Sequence, residues 1–85
     1  MNISEDILFY AFRYALGRMT YAVNDVAQAI IQNASNLHHS TRDLMAKEIR
    51  EAIHDGRAGM DMDIKQWNQV LAELNKRETH ETEED

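Results

Sequence analysis

The sequence has no cysteine and no proline, only three glycines, and no apolar run long enough to cross a bilayer. The absence of cysteine excludes disulfides and cysteine-ligated zinc, and it suits a reducing compartment. Glu5 and Asp6 precede the first apolar stretch, which is the wrong charge for a secretory signal. The chain also lacks a glycine-rich phosphate loop and a nucleophile beside a base. We therefore expect a cytoplasmic protein that is not an enzyme and that carries no cofactor or metal.

The acidic charge is concentrated at one end of the chain. Of the fifteen Asp and Glu residues, five lie in 78–85, which leaves ten acids against nine Lys and Arg in the rest. A nearly neutral body argues against an acidic mimic of DNA, and few cations argue against nucleic-acid binding. We predict one helical domain over residues 1–77 and an acidic, disordered tail over 78–85.

Apolar residues recur at spacings of three and four, and no stretch alternates in the manner of a strand. This pattern predicts an all-α fold, a small bundle of three to four helices. A chain of 85 residues has a core near the lower limit for independent folding. We therefore also expect that homo-oligomerisation could complete the bundle.

Local signals predict where the helices begin. Ser4 is an N-cap candidate for a first helix that is apolar almost all round and must be covered by the fold or by another subunit. Ser40, with Asp43 three residues later, resembles a capping box, and Asp63 with Gln66 resembles another. Arg42, which lies between Ser40 and Asp43, is expected to face water. The second helix shows a clean amphipathic stripe, formed by Val23, Val26, Ala27, Ile30, Ala34 and Leu37.

Gly17 leaves two readings of the first half of the chain. The helix could continue through Gly17, where the missing side chain would let another backbone approach, or it could break there and Thr20 could cap a second helix. Because no proline or turn dipeptide marks a stop, we predict a continuous or kinked helix.

Polar-tipped side chains interrupt the apolar stretch around Gly17. In one helix over residues 10–24 they would form two adjoining stripes, and arginine and tyrosine are the residue types that carry binding energy at protein interfaces. The predicted binding face, for a partner or a ligand, consists of Tyr10, Arg13, Tyr14, Arg18, Thr20 and Tyr21. The alternative for the tyrosines is a core stripe with surface hydroxyls.

Arg13 also has a structural alternative. An arginine among apolar neighbours is often part of a buried ion pair, and Asp25, Asp61 and Asp63 are candidate partners. His38 and His39 are more simply loop residues than metal ligands, because adjacent histidines rarely aim at one ion in regular structure.

Two patches resemble short accessory proteins of bacteriophages and prophages. The first is the run from Phe12 to Tyr21, which reads Phe-Arg-Tyr-Ala-Leu-Gly-Arg-x-Thr-Tyr; the second and weaker one comprises Glu48, Ile49, Ala52, Ile53, Gly59, Met60, Asp61 and Trp67. The resemblance implies a small phage protein, located in the host cytoplasm if phage-encoded, and it implies no site roles.

Three functions fit these observations. The first is an anti-CRISPR-like or other anti-defence inhibitor, which binds and modulates a host or immune-system protein without catalysis. The second is a helical oligomer in which Arg13 and Arg18 bind a nucleotide or phosphate. The third is a self-assembling structural module in which the predicted binding face is the seam between subunits.

Overall fold

Four helices account for most of the part of the chain that the structure describes. A computed structural model describes residues 4–17 and 20–84, without the side chains of Thr20, Tyr21 and residues 77–84. The elements are α1 (Glu5–Ala15), α2 (Thr20–Asn33), a 3₁₀ turn (Ala34–Asn36), α3 (His39–His54) and α4 (Asp61–Glu84). The described ranges contain no strand, so the all-α bundle is confirmed. No helix in these ranges is both long and apolar enough to span a membrane.

α4 is the central helix of the bundle. It packs against both α2 and α3, and α1 packs mainly on α2. Trp67 of α4 meets Phe12 of α1 edge to face, with ring centroids 5.7 Å apart and planes at 87°. Both side chains are fully buried, and the stripe predicted for α2 supplies Val23, Ala27 and Ile30 to the same core.

α1 is covered on one side only. Leu8, Phe12 and Ala15 are buried, at spacings of three and four, and they anchor the helix to the core. The all-round apolar character of the first helix suggests that its whole circumference is covered. The rest of the chain covers only the side with these three residues. Its start is where Ser4 predicts it, although the Ser4 side chain makes no capping hydrogen bond.

The helix does not continue through Gly17, and the prediction of a continuous or kinked passage is wrong. Leu16 leaves the helix in an extended conformation, and Gly17 has a φ of 87°. A Cβ at Gly17 would lie 2.8 Å from the carbonyl oxygen of Arg57, in the loop between α3 and α4. Gly17 is thus both a turn and a point of close packing, because two loops meet there.

α4 begins at Asp61 rather than at Asp63. The Asp63 carboxylate accepts a hydrogen bond of 3.0 Å from the amide of Met60, the residue before the helix. This is one of the two hydrogen bonds of a capping box, in which the side chain of the third helical residue accepts from the backbone amide of the N-cap residue. At its other end α4 continues to Glu84, into the segment 78–85 for which we predicted disorder. That segment contains no proline or glycine to end a helix, and the division into a domain and a tail stays a prediction.

Arg42 is buried rather than water-facing, with 2% of its surface exposed. Its Nε donates to the carbonyl oxygen of Leu37 at 3.3 Å, and one terminal nitrogen lies 3.5 Å from the carbonyl oxygen of Leu74. A charged donor that satisfies carbonyl groups of two different segments ties the chain before α3 to α4.

We predict that Gly17→Ala lowers the free energy of unfolding by about 3 kcal/mol, because the new methyl group meets a backbone oxygen in a conformation that alanine disfavours. Gly56→Ala is the matched control, since Gly56 also has positive φ but has no atom within 4 Å of its Cβ position. We expect it to cost about 1 kcal/mol. Urea denaturation followed by circular dichroism measures both; equal losses would contradict the close packing at Gly17.

We predict that Arg42→Ala lowers the free energy of unfolding by about 2 to 4 kcal/mol, since it removes charge-assisted hydrogen bonds and buried side-chain packing. Arg50→Ala, on the exposed side of the same helix, is expected to change it by less than about 0.5 kcal/mol. If thermal and urea denaturation gave the two variants the same stability, the structural role of Arg42 would be refuted.

Candidate protein-binding face

The solvent side of α1 carries large apolar side chains. Ile7 is 65% exposed, Tyr10 76% and Tyr14 66%. Asp6 and Arg13 are exposed on the same side of the helix. These five residues follow a spacing of three and four, and we call them the α1 face. Single exposed apolar residues are ordinary on a protein surface, but several adjoining ones are typical of an interaction site.

Arg13 does not form the buried ion pair that its apolar neighbours suggested. Its side chain is exposed, and the guanidinium carbon lies 6.0 Å from the centroid of the Phe9 ring, one helical turn earlier. Asp63, one of the candidate partners, is instead used at the start of α4. The pairing prediction is wrong because residue 13 falls on the side of α1 that faces away from the core.

The structure brings together part of the predicted binding face. Tyr10, Arg13 and Tyr14 lie on the exposed side of α1. Arg18 lies outside the described residues. Thr20 is the first residue of α2 and Tyr21 the second, and their side chains are also outside the description. Because α1 ends before Gly17, helical periodicity does not extend the α1 face to residues 18–21.

A groove adjoins the α1 face. It lies between α1 and the start of α3, is open to solvent, and has a volume of about 540 Å³. Leu44, 43% exposed, forms part of its α3 side. The residues that line the groove are Glu5, Asp6, Phe9, Tyr10, Ser40, Thr41 and Leu44. The exposed surface of α1 is therefore continuous with a concave surface that has an acidic end and an aromatic wall.

Glu5 holds the two sides of this groove together. Its carboxylate accepts a hydrogen bond of 3.2 Å from the amide of His38 and another from the hydroxyl of Thr41. His38 caps α3 and Thr41 is the third residue of that helix. A glutamate from α1 thus acts on α3 as the glutamate of a capping box acts within one helix. The negative charge is favourable there, since helix N-termini are electropositive.

The hydrogen bonds to Glu5 change its acidity. The bond from the Thr41 hydroxyl, and after it the bond from the His38 amide, lower the pKa of Glu5 below the ordinary value of a glutamate. The desolvation of the partly covered side chain acts in the opposite direction and is the smaller effect. The folded protein therefore favours the ionised form of Glu5.

α3 begins at His39, so the predicted capping box of Ser40 and Asp43 is wrong. Nδ1 of His38 accepts a hydrogen bond of 3.2 Å from the Ser40 amide and takes the place of a serine cap. The rings of His38 and His39 stack at a centroid distance of 4.6 Å. Among the described side chains, no three His, Asp or Glu residues are placed to hold a metal ion.

The chain matches no family model, no curated protein and no solved structure. The sequence did not predict that α3 forms one side of the groove. The residue that could have indicated it is Glu5, because a carboxylate can accept hydrogen bonds at the N-terminus of a second helix as it does here at α3.

We predict that Glu5→Gln destabilises the protein at neutral pH and that this difference from wild type shrinks on acidification. A group with a lowered pKa in the folded state contributes stability above its unfolded pKa, and this contribution is lost as the pH falls through the folded pKa. Urea denaturation between neutral pH and the range below the ordinary pKa of a glutamate measures it.

Glu51→Gln, at an exposed position of α3, is the control for that experiment and is expected to show no such convergence. A gap between wild type and Glu5→Gln that stays constant over the whole pH range would show that the charge of Glu5 is not what stabilises the start of α3.

Proposed function

We propose that this chain is a small, non-catalytic protein that binds and modulates another protein through the α1 face. The observation that carries the proposal is the exposure of Ile7, Tyr10 and Tyr14 on a helix whose opposite side is firmly anchored in the core. A helix held in this way presents its side chains without the cost of ordering a loop on binding.

The chemistry of the α1 face supports a protein partner. Tyrosine and arginine combine a large surface that can be desolvated with directional hydrogen bonding, and both are enriched at binding hot spots. Tyr10 lines the groove, so a partner side chain could enter the concavity while the aromatic surface is covered. Such an arrangement has the apolar centre and polar rim of ordinary interfaces.

The resemblance to phage accessory proteins suggests the kind of partner. In that form of the proposal the partner is a host or immune-system protein, and binding inhibits it. A phosphate or nucleotide ligand is a weaker alternative. Arg13 is exposed and lies near the Phe9 ring, and the groove is lined by Glu5 and Asp6, whose charges repel an anion.

A photo-crosslinking amino acid in place of Tyr10 tests the proposal in cells that contain the partner. We expect a covalent adduct with a second, different protein, and no adduct when the same amino acid replaces Gln28, which is exposed on α2. With that protein purified, Tyr10→Ala and Arg13→Ala should each weaken binding by about thirtyfold, the loss typical of hot-spot residues.

Gln28→Ala is the matched control in the binding measurement and should leave the dissociation constant unchanged. Circular dichroism establishes that all variants remain helical. If the folded protein formed no adduct from position 10, or equal adducts from positions 10 and 28, the α1 face would not be the surface that binds another protein.

A further inference from the structure

We propose that in the absence of another partner the α1 face binds a second copy of this chain, with α1 packed antiparallel against α1 of the partner subunit about a twofold axis near Tyr10. This inference rests on the proposed function, because it takes the α1 face to be a protein-binding surface. It adds the occupant, its orientation and the register of the contact.

The apolar residues of the α1 face are arranged nearly symmetrically along the helix. Tyr10, the most exposed of them, lies three residues after Ile7 and four residues before Tyr14. A twofold axis perpendicular to the helix reverses the order of residues in the second copy. With the axis near Tyr10, the two Tyr10 rings meet at the centre, and Ile7 of each copy lies opposite the region of Tyr14 of the other.

The charges of the α1 face are arranged with the same symmetry but with opposite signs. Asp6 lies four residues before Tyr10, and Arg13 lies three residues after it. At about 1.5 Å of rise per residue, the axis brings Asp6 to within about 1.5 Å of the level of Arg13 in the other copy. A long arginine side chain covers this offset, so each dimer gains two pairs of opposite charge.

Both charged side chains are available for this pairing. In the ranges that the structure describes, Asp6 forms no hydrogen bond or ion pair, and the contact of Arg13 is with the Phe9 ring of its own helix. Exposed pairs contribute little free energy, so the apolar side chains supply most of the affinity and the charges determine the orientation. A parallel arrangement would place Asp6 at the level of Asp6 and Arg13 at the level of Arg13, on opposite flanks of the contact, and would form neither pair.

The same surface then serves two occupants in turn. While no other partner is present, the second copy covers Ile7, Tyr10 and Tyr14, which would otherwise be a surface prone to unspecific association. A foreign partner that binds the α1 face competes with the second copy, and its apparent affinity falls as the concentration of the chain rises.

Charge reversal tests the pairing directly. We expect Asp6→Arg and Arg13→Asp each to raise the dissociation constant of the dimer by about tenfold or more, because each places like charges opposite one another. Light scattering coupled to size-exclusion chromatography over a range of concentrations measures it. The double variant Asp6→Arg/Arg13→Asp should return to within about threefold of wild type, since both pairs are restored with exchanged positions.

A mixture of the two single variants is the decisive sample. In a twofold antiparallel dimer, the chain with two cations pairs at both ends with the chain that has two acids, so the mixture should form a dimer at concentrations at which each variant alone is largely monomeric. Asp25→Arg, a reversal at an exposed position of α2, is the control and should leave the dimer intact. Circular dichroism shows that every variant is folded.

The possible results separate this inference from the proposed function. A wild-type chain with the mass of a monomer at all concentrations would overturn the inference, as would a dimer that neither reversal weakens. In both cases an adduct of position 10 with a different protein would still support the proposed function. A dimer with the expected charge pattern but without any such adduct would uphold the second copy and overturn the foreign partner.

Discussion

The edge-to-face contact between Phe12 and Trp67 determines which side of α1 the protein exposes. Both rings are fully buried, and they connect the first helix to the central one, α4. Once Phe12 points inward, Leu8 and Ala15 follow it into the core because they lie three or four residues away on the same helix. Ile7, Tyr10 and Tyr14 then face solvent, so the packing of α1 on the core, which is mainly against α2, leaves the candidate binding surface exposed.

Glu5 adds a second restraint, at the end of α1 that Phe12 does not reach. Its bonds to His38 and Thr41 join the N-termini of α1 and α3, and Tyr10 of α1 and Leu44 of α3 both line the groove. A negative charge is favourable at that position because the backbone amides at the start of a helix are free. The hydrogen bonds of Glu5 thus join the two helix ends between which the groove lies.

Much of the fold could be predicted from the sequence, because periodicity is local information. The stripe of α2 required only spacings of three and four. The helix break at Gly17 and the cap of α3 by His38 could not be predicted in the same way. At the first, Gly17 lies close to the Arg57 backbone, and the second is completed by Glu5; both of these partners are distant in sequence. Arg42 shows the same limit, since its charge predicts exposure and its burial depends on carbonyl groups of two other segments.

For the candidate site, the sequence alone determined the residue types and their spacing: Tyr10, Arg13 and Tyr14 at intervals of three and four. Whether that side would be core, ion pair or surface was decided by the tertiary structure. A helix that is apolar almost all round can bury any of its sides, and the local pattern does not choose among them. The choice came from the shape of the core, into which Phe12 fits and from which Arg13 is turned away.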